Sequence, residues 1–148
     1  MLYLVLPVPR RAKSKTRKGV NTMANRAFRF RIYPNSEQKV LFARTFGCAR
    51  FIYNKMLADK IKYYKENKQK LNNTPAQYKT EFEWLKEVDS LALCNAQMNL
   101  QRTFTNFFTN PKSGFPEFKS KHKNRKSYTT NNQKGSITLE NGYLKIIK

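Results

Sequence analysis

A chain of 148 residues has room for about one domain, and its thirty Lys and Arg against nine Asp and Glu leave a net charge of +21. So positive a chain attracts polyanions at long range, and with aromatics at 14% of residues it pairs phosphate-neutralising cations with rings that can stack on bases. No run approaches the ~20 apolar residues a membrane span needs, and the two cysteines, Cys48 and Cys94, are too far apart for a disulfide framework or a zinc ribbon.

The cysteines each fall inside a helical pattern and read as small core residues of a reducing, cytoplasmic environment. His122, the single histidine, lies in a basic loop without a cysteine partner, so no metal and no cofactor is expected. Residues 1–22 carry Arg10, Arg11, Lys13, Lys15, Arg17 and Lys18 without an acid and hold no sustained period, so they are expected to be disordered. Their apolar start, Leu2 to Val8, contains Pro7 and precedes the basic residues, the reverse of a signal peptide. Met23 reads as a natural translation start, which would make 1–22 a product of upstream DNA.

From Ala27 to Tyr33 the chain alternates. Phe28, Phe30 and Ile32 face one way and Arg29, Arg31 and Tyr33 the other, which predicts a half-buried strand over 27–33 with a cationic face. Pro34 stops it, and Asn35 three residues before Gln38 is a capping-box start. The helix that follows should bury Phe42, Phe46, Ala49, Tyr53, Leu57, Ile61 and Tyr64. Gly47 in its middle suggests close approach of another backbone, from a packed helix or a nucleic acid. Thr74, Pro75 and Gln77 open a second helical region carrying Tyr78, Phe82, Trp84 and Leu85. After a break at Val88-Asp89, a third helix capped by Asp89 or Ser90 presents Leu93, Ala96 or Gln97, Leu100, Phe104 and Phe107, and Asn110-Pro111 ends it. Residues 35–110 are therefore expected to be a small antiparallel helical bundle.

Beyond it, 111–135 is a turn-rich basic loop in which Lys119, Lys121, Lys123, Arg125 and Lys126 stand together without an acid. Such a run is a solvated loop or a phosphate-binding arm. Residues 136–147 form a hairpin whose Asn141-Gly142 turn sets Leu139 opposite Leu144 and Ile137 opposite Ile146. A lone hairpin is marginal in water, and the Phe28-Phe30-Ile32 strand is its candidate partner. The fold class is α+β, a helical bundle inserted between strands.

Several stretches resemble one known family. AFRFRIYPNSEQ at 27–38, FGCARFIYN at 46–54, WLKEVDSLAL at 84–93, LQRTFTNFF at 100–108, GFPEFKSK at 114–121 and RKSYTT at 125–130 are similar, in order and spacing, to the opening of the insertion-sequence TnpB (OrfB) family. The resemblance covers about 23–148. It implies a wedge-like, OB-like β-barrel interrupted by a helical recognition bundle, and a role in RNA-guided DNA cleavage with transposon-derived guide RNA and target DNA as partners. In the family a RuvC-like nuclease with separated carboxylates and a zinc ribbon follows. Neither appears in this chain, so the barrel is expected to be incomplete, the chain to be a truncated N-terminal part without catalysis, and a missing nuclease half to act, if at all, in trans. Glu117 stands where relatives often carry a basic or neutral residue, which weakens the phosphate reading there.

The residues expected to touch nucleic acid are Arg29, Arg31 and Tyr33 on the first strand and Arg50, Tyr53 and Asn54 on the first helix. Phe118, Lys119, Lys121, Arg125, Lys126, Ser127, Tyr128, Thr129 and Thr130 in the loop complete the set. Cations and hydroxyls of this kind position a backbone more than they read sequence, while Arg and Asn suit base edges. Tyr53 falls on the apolar stripe and fits the core equally well. No catalytic or metal-ligating residue is assigned. The expected activity is nucleic-acid binding. The alternatives are a stand-alone DNA-binding regulator of an insertion sequence, an endonuclease subunit completed in trans, or a decayed, non-functional fragment.

Overall fold

The computed structural model describes residues 2–11, 23–133, 135 and 137–146, with the backbone alone at 2–11, 23–30, 139 and 146. The chain divides into two compact units, Met1–Lys39 and Val40–Lys148.

In the first unit, β1 (Leu2–Arg11) pairs antiparallel with β2 (Met23–Ile32). Residues 2–11 are thus a strand where the sequence reading left them disordered, and β2 begins earlier than Ala27; residues 12–22 lie outside the described residues. The register explains the pairing. Leu2, Leu4 and Leu6 stand opposite Ile32, Phe30 and Phe28, so the apolar positions of β2 meet apolar positions of β1. Pro7 and Pro9 are two apart and fall on the same edge of β1. There a missing amide costs nothing if that edge faces away from the partner. Pro34 follows β2, and Asn35 caps the next helix. Its amide donates to Gln38 Oε1 (3.0 Å) and its Oδ1 accepts the Gln38 amide (2.8 Å), the reciprocal box read from the sequence.

The second unit is built on α1 (Ser36–Asn67), α2 (Pro75–Glu81), a 3-10 turn over Glu83–Glu87, and α3 (Ser90–Thr109). α1 ends where Lys68 takes a positive φ of 55°. Pro75 opens α2, with the Thr74 amide bonded to Gln77 Oε1 (3.0 Å). Asp89 caps α3 by accepting the Leu91 amide (2.8 Å). One core joins these elements: Ile52, Tyr53, Met56 and Leu57 of α1 pack with Tyr78, Leu85, Val88, Leu93, Ala96 and Leu100. The buried stripe of α1 is wider than expected, since Ile52 and Met56 join Cys48, Ala49, Tyr53 and Leu57. Tyr64 is instead 58% exposed, beyond the reach of the bundle. Of the two cysteines only Cys48 is buried; Cys94 is exposed on α3 and is not a core residue. Among the described residues no helix is long and apolar enough to cross a membrane.

Gly47 has no atom within 4 Å of where a Cβ would sit, so no helix packs on it. Glycine in a helix interior costs about 1 kcal/mol relative to alanine. Gly47→Ala is therefore expected to raise stability by about that amount, measured as the midpoint of urea unfolding.

A buried polar chain ties α1 to the loop before α2. Lys55 pairs with Asp59 (3.1 Å), the Tyr78 hydroxyl donates to Asp59 Oδ2 (2.7 Å), and Asn73 Nδ2 donates to that hydroxyl (2.6 Å). Burial first, and the bond to Asp59 second, hold the Tyr78 phenol well above its usual pKa. The unfolded chain loses this proton above about pH 10 while the folded chain keeps it. The resulting stabilisation is complete below about pH 10 and declines as pH rises further. Tyr78→Phe is expected to cost about 1–3 kcal/mol at neutral pH by removing a partner of buried Asn73 and of half-buried Asp59. The wild-type and variant stability curves should converge above about pH 10; parallel curves there would contradict the retained proton.

The second unit ends in the hairpin of β3 (Ile137–Glu140) and β4 (Tyr143–Ile146). Its register is the one expected, with Ile137 opposite Ile146 and Leu139 opposite Leu144. Asn141 and Gly142 both have positive φ (49° and 78°), as a type I′ turn requires. The expected shared sheet is not formed: β2 takes β1 as partner, and the described strands make two separate two-stranded ribbons, not a barrel. Local turn chemistry and the apolar residues of 2–11 satisfy each ribbon from within.

Candidate nucleic-acid interface

The stretch from Phe115 to Thr130 has no helix or strand, yet it is held at separate points along its length. Phe115 packs edge-on against Phe104 (5.8 Å between centroids) and Phe107 (5.3 Å) of α3, and Pro116 is buried. Asn54 of α1 clamps Lys119 from both sides. Its Nδ2 donates to the Lys119 carbonyl (2.9 Å) and its Oδ1 accepts the Lys119 amide (2.8 Å). The Tyr128 ring lies on Phe46 (5.7 Å) and Phe42 (6.3 Å) of α1. The Thr130 hydroxyl donates to Asp89, the residue that caps α3. Between these anchors Ser120 and Asn124 close a tight turn: the Ser120 amide donates to Asn124 Oδ1 (2.6 Å), and Ser120 Oγ accepts from the amides of His122 (3.3 Å) and Lys123 (3.4 Å). The result is an arm with fixed ends and a basic turn projecting from it.

The arm and the two long helices enclose a groove of about 310 Å³. Arg50 and Phe46 from α1, Ala92, Ala96 and Asn99 from α3, and the arm residues 119–120 and 124–129 line it. No acid is among them. Asp89, whose charge reaches Tyr128, accepts from the Leu91 amide and from Thr130, and Glu87 pairs with Arg44 (3.1 Å) at the surface. The floor is small and apolar at Ala92 and Ala96, while Arg50, Arg125, Lys126, Ser127 and Thr129 ring it with charge and hydroxyls. Clustered cations with no acid in the lining raise the local positive potential, and hydroxyls beside them suit phosphate oxygens. The Lys119 ammonium sits over the Tyr53 ring (4.1 Å to the centroid), and burial lowers its pKa. Burial, with the charge of Asp89, pushes the Tyr128 phenol up.

Of the residues singled out by sequence, this groove unites Arg50, Lys119, Arg125, Lys126, Ser127, Tyr128 and Thr129. Two from α1 have other work. Tyr53 is only 3% exposed and belongs to the core, not to a stacking surface. Asn54 spends its amide on the Lys119 backbone, so it positions the arm instead of reading a base edge. Lys121 is exposed on the projecting turn, and Phe118 is 57% exposed beside it, neither lining the groove. In the other unit, Arg31 stacks its guanidinium on Tyr33 (5.3 Å), both exposed, and Arg29 stands opposite Val5 in the ribbon register. Asn99, Ser120 and Asn124 were missed. Asn99 lies on the α3 turn facing the arm, and only the fold reveals that; the Ser120–Asn124 turn has a weak signal in two turn-forming residues four apart. Among the described residues no three His, Cys, Asp or Glu side chains gather into a metal site.

Known proteins resemble this chain. The helix-turn-helix domain family HTH_OrfB_IS605 matches residues 23–69. The chain is 35% identical over 132 residues to a protein of Streptomyces pristinaespiralis named an RNA-guided DNA endonuclease, a match covering 83% of this chain and 32% of that one. It is 30% identical over 105 residues to the RNA-guided DNA endonuclease InsQ of Escherichia coli (strain K12), covering 66% of this chain and 26% of InsQ. The chain carries an N-terminal region of the TnpB (OrfB) type. It spans less than a third of either endonuclease relative. A third relative, virulence protein VsdF of Salmonella dublin, is 36% identical over 115 residues, and the match covers 66% of this chain and 94% of VsdF.

Within the matched stretch, this TnpB-type region has β2 followed by the unbroken helix α1; its first turn between helices begins only at the end of that stretch, over 68–74. Only Phe46, Ala49 and Arg50 of the groove lining fall inside that stretch. The remainder comes from α3 and from the segment containing GFPEFKSK and RKSYTT. The structure gives those motifs a physical meaning. Pro116 is buried, Lys119 is clamped, Ser120 starts the turn, Tyr128 packs on α1 and Thr130 ties to Asp89.

Proposed function

We propose that the groove between α1, α3 and the arm grips a sugar-phosphate backbone, and that this chain is a nucleic-acid-binding part of a TnpB-type, RNA-guided system. One observation carries the reading. Arg50, Arg125 and Lys126, drawn from distant parts of the sequence, line one groove with Ser127 and Thr129 and no acid. Names of two relatives as RNA-guided DNA endonucleases support guide RNA and target DNA as partners. On this reading the chain itself binds and does not cut, needs no cofactor, and acts in the cytoplasm. A nuclease half with the carboxylates would be supplied elsewhere, in cis or in trans. Arg29, Arg31 and Tyr33 of the first ribbon would add backbone contacts of their own.

The test is to purify the full chain from cells that carry the neighbouring DNA and sequence the RNA bound to it. Enrichment of transcript from an adjacent transposon end is the expected result, and bulk ribosomal RNA alone would oppose it. A second reading, a stand-alone DNA-binding regulator, rests on VsdF, nearly all of whose length is matched. That reading requires tight duplex binding in the absence of RNA, which the same preparation can be assayed for after nuclease treatment.

A further inference from the structure

We infer that the C-terminal end of α3 carries a second binding site, an aromatic platform on which an unpaired base of single-stranded nucleic acid stacks. The inference rests on the proposed backbone-gripping role and adds to it a distinct ligand element, the base face. Four phenylalanines meet there. Phe104 and Phe107 hold Phe115 edge-on (5.8 and 5.3 Å), and Phe107 holds Phe108 edge-on (5.1 Å). Each ring is therefore fixed by a neighbour, so little rotamer freedom remains to be lost when a base arrives. Yet the cluster is not core: Phe108 is 77% exposed and Phe115 48% exposed. Phe118, three residues after Phe115, is a further exposed ring at 57%.

Rings so exposed on a chain of this charge suit a ligand that is both flat and anionic. From Ser90 to Leu139 the sequence has one acid, Glu117, against Arg102, Lys112, Lys119, Lys121, Lys123, Arg125, Lys126 and Lys134. Lys112 lies between Phe108 and Phe115, in a turn that Asn110 organises by accepting the Lys112 amide on Oδ1 (3.0 Å) and the Ser113 amide on its carbonyl (2.9 Å). A duplex hides its base faces, whereas a single strand offers them to any ring, and cations track its phosphates. An apolar protein partner would gain from the rings and be opposed by nothing in particular. It would, however, leave the positive charge of this part of the chain, Lys112 within the turn included, unanswered, and that favours a polyanion.

The test uses the full chain and two probes, an oligothymidylate of about twelve nucleotides, within the range of single-strand site sizes, and a duplex of the same length. Phe108→Ala is expected to weaken single-strand binding at least about fivefold, the low end of the loss of one stacked base. Duplex binding and the salt slope should not change, and Phe108→Trp should restore single-strand affinity. Because Phe108 is so exposed, its loss does not threaten folding. Unchanged single-strand affinity in Phe108→Ala, or an equal loss on duplex, would overturn the platform while leaving the groove reading standing. Sedimentation showing that the wild type self-associates and Phe108→Ala does not would make the patch an interface between copies, and overturn it as well. Absence of salt-dependent binding of either probe by the wild type would defeat both.

Discussion

Changing Arg50, Arg125 and Lys126 together to Ala should flatten the salt dependence of nucleic-acid binding. About six phosphate contacts give a slope of log affinity against log salt near −5, and each contact contributes about 0.9. Removing three cations should therefore bring the slope to about −2 to −3. On the proposed reading these groups hold a backbone and do not read bases, so the loss should be similar for all sequences. All three side chains line the groove, and among the described residues none of them forms an ion pair with an acid. Their removal costs no internal partner, so folding should be intact. Filter binding at several salt concentrations measures the slope, and a triple variant with the wild-type slope would show that phosphates bind elsewhere. Asn54→Ala makes a useful companion, since it removes no charge but releases the Lys119 backbone that positions the arm.

The second large effect is expected from Leu93→Ala. Leu93 is fully buried on the first turns of α3, within the core shared with α1 and the Leu85 turn. Truncating such a leucine costs about 2–5 kcal/mol, the lost transfer energy plus the cavity left behind. Domains of this size have about 5–15 kcal/mol in total. The melting temperature should fall by about 10 °C or more. The arm should loosen too, because Asp89, which anchors Thr130, caps the same helix four residues earlier. Calorimetry gives the first effect. Faster proteolysis within 119–127, relative to cleavage elsewhere, gives the second.

Much of the local structure was legible because local chemistry decides it. The Asn35–Gln38 box, Pro75 at the start of α2, the Asp89 cap and the Asn141-Gly142 turn each depend on residues within four positions of one another. In each the structure shows the arrangement expected. The helical faces of α1 and α3 followed from period alone, and Ile52 and Met56 were missed only because the stripe was drawn too narrow. Residues 2–11 were misread because prolines and flanking arginines mask a strand whose partner lies on the far side of an intervening segment. The roles of Tyr53 and Asn54 were misassigned for a related reason. Type and spacing show that an amide or a ring is available, not which of its possible partners has already taken it.

By itself, then, the sequence determined the charge, the helices with their caps and the hairpin with its register, and its cations and rings are where the proposal of a nucleic-acid partner begins. Those are properties of composition and of neighbours along the chain. Only tertiary structure decided that Arg50 shares a groove with Arg125 and Lys126, that Asn54 serves the arm, and that four phenylalanines gather at the end of α3. Such groupings join residues tens of positions apart. They arise from how helices pack and where a loop is pinned, and no local preference encodes them.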